Sequence, residues 1–424
     1  MAEQPGLDGQ FLLDEYARYR RWGALLVLGG LALLFIVGAW LSTRTTIPLS
    51  LDYDKLGVHL MLDDGHNNWS LDIWDEHLAA ADAIASPGGI AVQLIRADDL
   101  NPERWQVFMD LAAEHDLTPV IRLATTFDRD RNLWTAPTAD SEGRYTTWGE
   151  DYAAFLNALE WTTAEKHIIL LNEPNNGREW GGQPDAIAYA QFVVDVAAVL
   201  REQVDGVVIL NGALDLVAPN TGSEPFPDSD LYMIDANSFM DAMNTAQPNI
   251  FALFDKWNSH VYPLGAFTEP PSIQEYRFDF LQDAVDTTTT PPENIYNRGI
   301  NSYAWELWKL EQFGISDISV MITEFGWRHA ESTNPDALDG GENYPDADLV
   351  AQYVDMALRG TESPFAETVT WQPLLADERV EAIALFALNG VPRDWGHTNW
   401  LQLDSEGAII GTYMPYDLIV GYTP

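Results

Sequence analysis

Two glutamates stand where apolar runs end. Ile168–Trp180 reads IILLNEPNNGREW, four apolar residues leading straight into Asn172, Glu173 and Pro174. Ser319–Trp327, SVMITEFGW, delivers Glu324 in the same manner. Either carboxylate alone would be an ordinary loop residue at a strand end. Facing each other over a common axis, they could split a glycosidic bond, one as general acid and one as nucleophile. That chemistry depends on the elements that carry them.

Those elements alternate. Short, continuously apolar runs at 56–62, 89–96, 118–124, 167–172, 206–212, 257–262, 319–325 and 381–389 read as parallel strands buried on both faces. Amphipathic stretches at 71–85, 101–115, 185–204, 302–314 and 346–360 read as helices, the second with Asn101 as N-cap and Pro102 in its first turn. Such strand–helix alternation predicts an α/β fold, a (β/α)8 TIM barrel, with its chemistry at the C-terminal strand ends. A doubly wound sheet is the competing architecture, but no glycine-rich phosphate loop follows the first strand. The segments 213–250, 263–299 and 326–345 are expected to be loops over the catalytic face. Strands four and seven face one another across such a barrel, so Glu173 and Glu324 meet over its centre.

At this point the chain resembles the retaining glycoside hydrolases of clan A, nearest in style to families 5 (cellulase-like) and 39. The resemblance rests on NEP after the fourth strand and TEFG after the seventh, and it spans the barrel from about Lys55 onward. It implies that Glu173 is the acid/base, Glu324 the nucleophile, and Asn172 a ligand of the sugar 2-hydroxyl. It further implies that Tyr262, from His260-Val-Tyr262 after strand six, hydrogen-bonds the nucleophile, with Arg96 of LIRADD near it. Arg122 of VIRLATT is a rival for that role. The chain departs from family 5 in lacking a histidine in NEPNNGREW. Where that family ends strand eight on a tryptophan, FALNG offers Asn389, so Trp395 or Trp400 of RDWGHTNW would supply the platform.

Other residues bear on the same chemistry. His59, Asp63, Asp64 and His66 in VHLMLDDGHNNW could suggest a metal site, but their spacing supplies no matching ligand pair, so a loop lining the cleft is expected. No metal and no cofactor is called for. Trp134, Trp180, Trp327 and Trp395 fall at loop positions where an indole could stack on the apolar face of a sugar ring. The absence of cysteine excludes disulfides and thiolate chemistry. With 65 acidic against 22 basic residues the net charge is −43, which repels nucleic acid.

The N-terminus carries a separate signal. Residues 22–41 contain no charge and are long enough to span a bilayer, and Arg18, Arg20 and Arg21 precede them. The run exceeds a signal-peptide core and no small-x-small site follows, so an uncleaved signal anchor is expected rather than a cleaved leader. By the positive-inside rule, 1–21 stays cytoplasmic and the rest is exported. The expected organisation is therefore a cytoplasmic tail (1–21), a single N-terminal transmembrane helix (22–41), a linker (42–54) and a barrel (55–424). The expected partners are an oligo- or polysaccharide and, through 22–41, the cell membrane. The alternative is an inactive barrel that binds carbohydrate or scaffolds an envelope complex.

Overall fold

The computed structural model describes residues 49–66, 68–227, 229–273, 298–333 and 344–422. The apolar N-terminal run lies outside the described residues, and among these no helix is long and apolar enough to cross a membrane.

All eight expected strands form: β1 (Leu56–Leu60), β2 (Ile90–Arg96), β3 (Thr118–Ala124), β4 (Lys166–Leu170), β5 (Val207–Asn211), β6 (Trp257–Val261), β7 (Val320–Phe325) and β8 (Val380–Leu385). They make one parallel sheet in the order β5-β4-β3-β2-β1-β8-β7-β6. A helix follows each: α1 (Trp74–Asp82), α2 (Pro102–Glu114), α3 (Thr146–Ala158), α4 (Ala186–Gln203), α5 (Ala236–Ala246), α6 (Ser302–Gln312), α7 (Ala347–Arg359) and α8 (Met414–Val420). Asn101 caps α2 by accepting from the backbone of Glu103 and Arg104, with Pro102 in the first turn, as the sequence predicts.

Three of these helices, α3, α5 and the C-terminal α8, were not expected. Helix α5 lies inside the segment read as a loop; its apolar residues Ala236, Phe239, Met240 and Met243 recur at helical spacing and are buried, with Asp235 as cap. Helix α3 was hidden by the polar stretch around it, yet buries Tyr152, Phe155 and Leu156 against the barrel.

Strand alternation divides the core in two. Val92, Val120, Ile169, Leu210 and Met321 fill the barrel interior, while Ile95, Ile121, Ile168, Ile209 and Ile322 pack outward with the helices. The seam between β5 and β6 has one isolated backbone bridge, Leu210 to Lys256. Side chains complete it. Asn258 N–H donates to Asn211 Oδ1 (2.7 Å), Asn211 Nδ2 to the Asn258 carbonyl (2.9 Å), and Asn258 Nδ2 to the Asn211 carbonyl (3.2 Å). Asn258 is wholly buried, so its amide replaces missing ladder bonds just where the site begins.

Candidate active site

Simple strand alternation would send Asn172 and Glu324 away from the barrel centre. On β4, Ile169 faces inward, which would send Leu171 inward and Asn172 outward. Instead Leu171 takes a left-handed backbone (φ 69°) and packs in the outer core, and Asn172 turns inward to accept from Arg122 Nη1 (2.9 Å). Glu173 also has positive φ (32°). Such backbone costs a side-chain-bearing residue about 1–2 kcal/mol, strain held in place by the surrounding structure.

On β7 a bulge does the same work. Ser259 opposes Ile322 and His260 opposes Glu324, so Thr323 is an extra residue. The ladder to β8 shows the same slip, Ile383 opposite Ile322 and Leu385 opposite Phe325. Thr323 and Glu324 therefore both face inward. The Thr323 hydroxyl donates to Asn258 Oδ1 (2.6 Å), and its carbonyl accepts from His59 Nδ1 (2.8 Å). Gly326 follows because β8 passes too close for a side chain: a Cβ there would lie 2.3 Å from the Phe386 carbonyl oxygen.

The two carboxylates end up in opposite environments. Glu324 accepts from Arg122 Nη1 on one oxygen (2.7 Å) and from the Tyr262 hydroxyl on the other (2.6 Å). Burial alone would raise its pKa; the neighbouring His260, His59 and Arg122, with the Tyr262 hydrogen bond, overcome this and hold it at about 2. Burial also pushes His59 down to about 4 and lowers His260, so at neutral pH Arg122 is the standing cation. Glu173 is pushed well above 4.5, by burial first and then by the charges of Asp215 and Glu324. His260 Nδ1 lies 2.8 Å from Glu173 and 3.5 Å from Glu324, between the two. An oxygen of each carboxylate and this ring lie within 4.8 Å of one another. One acid whose pKa is raised thus adjoins one whose pKa is lowered.

Glu173, Glu324, Asn172, His260 and Tyr262 converge here as the sequence suggests, and Trp395 lines the same cleft of ≈ 610 Å³. Five expected residues do not. Arg96 has the correct strand face but lies too far along it: Arg122 is level with Leu94, whereas Arg96 is level with Ala124. It pairs with Asp63 (3.3 Å), and Arg122 holds Glu324 instead. Trp327 is 2% exposed, packs edge-on against Phe325 and donates to the Glu269 carbonyl, so it is core and not a platform. Asn389 is fully buried and brackets the Met61 N–H and His77, facing away from the cleft. Trp180 and Trp400 are likewise buried in the core.

Other residues also line the cleft. Phe386, the first residue beyond β8, lies edge-on to Trp395, His59 and Tyr262. Glu179 is pushed up to about 8, by burial and then by Glu173. Asp215 is tied to the β4 loop through Asn176 (3.0 Å). The second asparagine pair of NEPNNG was the available signal: buried Asn175 clamps the Asp215 backbone in both directions. The His59–His66 cluster disperses: Asp63 binds Arg96 and Arg104, and Asp64 accepts from Trp395 Nε1. Glu173, His260 and Glu324 are close enough for one cation, but Arg122 and Tyr262 already occupy Glu324, and a cation would have to displace the arginine's charge.

No protein-family model matches the chain, and no curated protein matches it. Among solved structures it is similar to a β-glucosidase from Trichoderma harzianum, at 12% identity and a TM-score of 0.47 over 89% of this chain and 98% of the other. It is also similar to a fungal β-1,4-galactanase (13% identity, TM-score 0.43, 89% and 100% covered) and a GH113 β-1,4-mannanase (12%, 0.43, 88% and 99%). At these identities the likeness assigns no substrate or residue role to this chain.

Arg122 can be tested directly. In Arg122→Met the Glu324 carboxyl loses one of the groups that oppose its burial and should titrate higher than in the parent, where it is held at about 2. Because the parental pKa is depressed on folding, its stabilising contribution is present above about pH 4.5 and lost as pH falls toward 2; the variant should narrow that window. Carbon-13 NMR of labelled glutamate reads the titration, and an unchanged Glu324 would contradict this assignment.

Proposed function

We propose that this chain is a retaining glycoside hydrolase that cleaves a β-linked oligo- or polysaccharide. One observation carries the reading: two carboxylates with oxygens within 4.8 Å, the pKa of one lowered by its partners and that of the other raised by burial. Retaining enzymes place their pair about 5–5.5 Å apart, while inverting ones leave about 6.5–9.5 Å for a water. Glu324 attacks the anomeric carbon as Glu173 delivers its proton to the departing oxygen. Glu173, now ionised, takes a proton from water, which attacks the same carbon and releases Glu324. Arg122 and Tyr262 keep Glu324 ionised and aimed, and Asn172, held by Arg122, stands beside the sugar bonded to Glu324.

Separate variants divide the roles. Glu173→Ala should still form the glycosyl-enzyme from a dinitrophenyl glycoside, whose leaving group needs no proton, and lose about 10²–10⁴-fold in that step on an unactivated oligosaccharide. Glu324→Ala should lose both, with azide restoring a product of inverted configuration. Glu179→Gln, which removes the other protonated carboxyl in the cleft, should not reproduce the Glu173→Ala substrate split. If it does, Glu179 is the acid.

The uncharged run 22–41, preceded by three arginines, supports a single-pass anchor with the barrel outside the cytoplasm. A reporter joined after Pro424 should then be active only on the external side. Release of a soluble protein beginning near Ser42 would refute the uncleaved anchor.

A further inference from the structure

In a chain with about three acids for every base, an arginine without a carboxylate is the exception. Arg144 stands on Asp195, Arg201 on Asp255, Arg379 on Asp377 and Arg393 on Asp394. Among the described residues, Arg129, Arg131, Arg178 and Arg328 meet none, and all four lie on loops that follow β3, β4 and β7, at the catalytic end of the barrel. Two of these line the cleft itself: Arg178, five residues beyond Glu173, and Arg328, four beyond Glu324. Each glutamate-bearing loop therefore carries one such guanidinium.

Arg328 is held in place by neutral groups. Its guanidinium lies 5.0 Å over the Phe267 ring, Nη1 donates to the Tyr344 hydroxyl (3.1 Å), and Phe267 in turn packs on Tyr262 (4.5 Å). Arg178 is exposed and reaches only the Asn132 carbonyl at 3.4 Å. The cleft's own carboxylates do not neutralise them. Glu324 is taken by Arg122 and Asp394 by Arg393, Asp64 accepts from Trp395 and Asp215 from Asn176, and burial raises the pKa of both Glu173 and Glu179. The field of a −43 protein repels anions, so an anionic ligand needs local cations of this kind to bind. Guanidinium forks match planar and tetrahedral oxyanions, and bonds to them are about twice as strong as neutral ones.

Resting on the glycosidase reading above, we propose that the cleft takes an acidic glycan, one whose carboxylate or sulfate ester is bound by Arg328 with Arg178 on the facing loop. The shared chemistry is an oxyanion on a sugar ring. A neutral glycan would leave both cations without a counter-charge.

The test is calorimetric binding to the full-length protein of β-1,4-linked gluco-, manno- and xylo-oligosaccharides. Each is presented in a neutral form, a form bearing a uronic acid carboxylate and a form bearing a sulfate ester. At least one acidic member should bind tenfold or more tightly than its neutral counterpart, and which member does so distinguishes carboxylate from sulfate. Arg328→Gln should remove most of that preference and Arg178→Gln part of it, while Arg328→Lys should retain some and neutral binding should not change. No preference for an acidic member, no binding by any, or a preference that survives in Arg178→Gln/Arg328→Gln overturns the proposal. So does a loss of thermal stability in Arg328→Gln with the preference intact, which would make the arginine structural. Acidic binding without cleavage would sink the hydrolase reading and leave this inference standing; cleavage of neutral glycans without preference would do the reverse.

Discussion

The site depends on one ion pair inside the barrel, Arg122 with Glu324. A carboxylate this deeply buried would ordinarily keep its proton, and a protonated Glu324 could neither attack carbon nor raise the pKa of Glu173. Arg122 answers the burial cost with a guanidinium 2.7 Å from the carboxylate. It spends a second hydrogen bond on Asn172, so the same guanidinium fixes the end of β4 to the end of β7. Removing one partner would leave the other charge buried alone, which costs far more than the pair contributes in net stability.

The backbone had to bend to make that pair. Left-handed Leu171 and Glu173 on one strand and the Thr323 bulge on the other each turn a side chain that alternation would have sent elsewhere. Both distortions are braced by neutral polar groups: His59 on the Thr323 carbonyl, Asn258 on the Thr323 hydroxyl, and Asn176 N–H on the Glu173 carbonyl (2.8 Å). The asparagines that close the β5–β6 seam also hold the bulge, so barrel closure and site geometry are one hydrogen-bond network.

The eight strands were legible because parallel strands buried on both faces are continuously apolar, a pattern that survives without knowledge of partners. Glu173, Glu324, His260 and Tyr262 were legible because they follow those runs directly. Depth was not. Arg96 and Arg122 both sit late on adjacent strands with the same facing, and only the register, which sets Arg122 one layer deeper, decides which meets Glu324. Trp327 and Asn389 failed for a related reason: a residue just past a strand end can turn back into the core, and its sequence neighbours do not say so. Inward delivery of Glu324 looked like simple alternation and is a bulge, invisible in the residues themselves. Helix α5 was missed for its polar, proline-bounded flanks, although its four apolar residues held the period.

The central claim is that Glu324 forms a covalent bond to the sugar. Incubating the protein with a panel of 2-deoxy-2-fluoro aryl β-glycosides, which slow release of such an intermediate, and mapping the peptides by mass spectrometry addresses it directly. The label should appear on the peptide containing Thr323-Glu324-Phe325, at Glu324, and should vanish in Glu324→Gln. A label on Glu173 or Glu179, or turnover of these glycosides' parent compounds with inverted configuration and no labelled peptide, would contradict it.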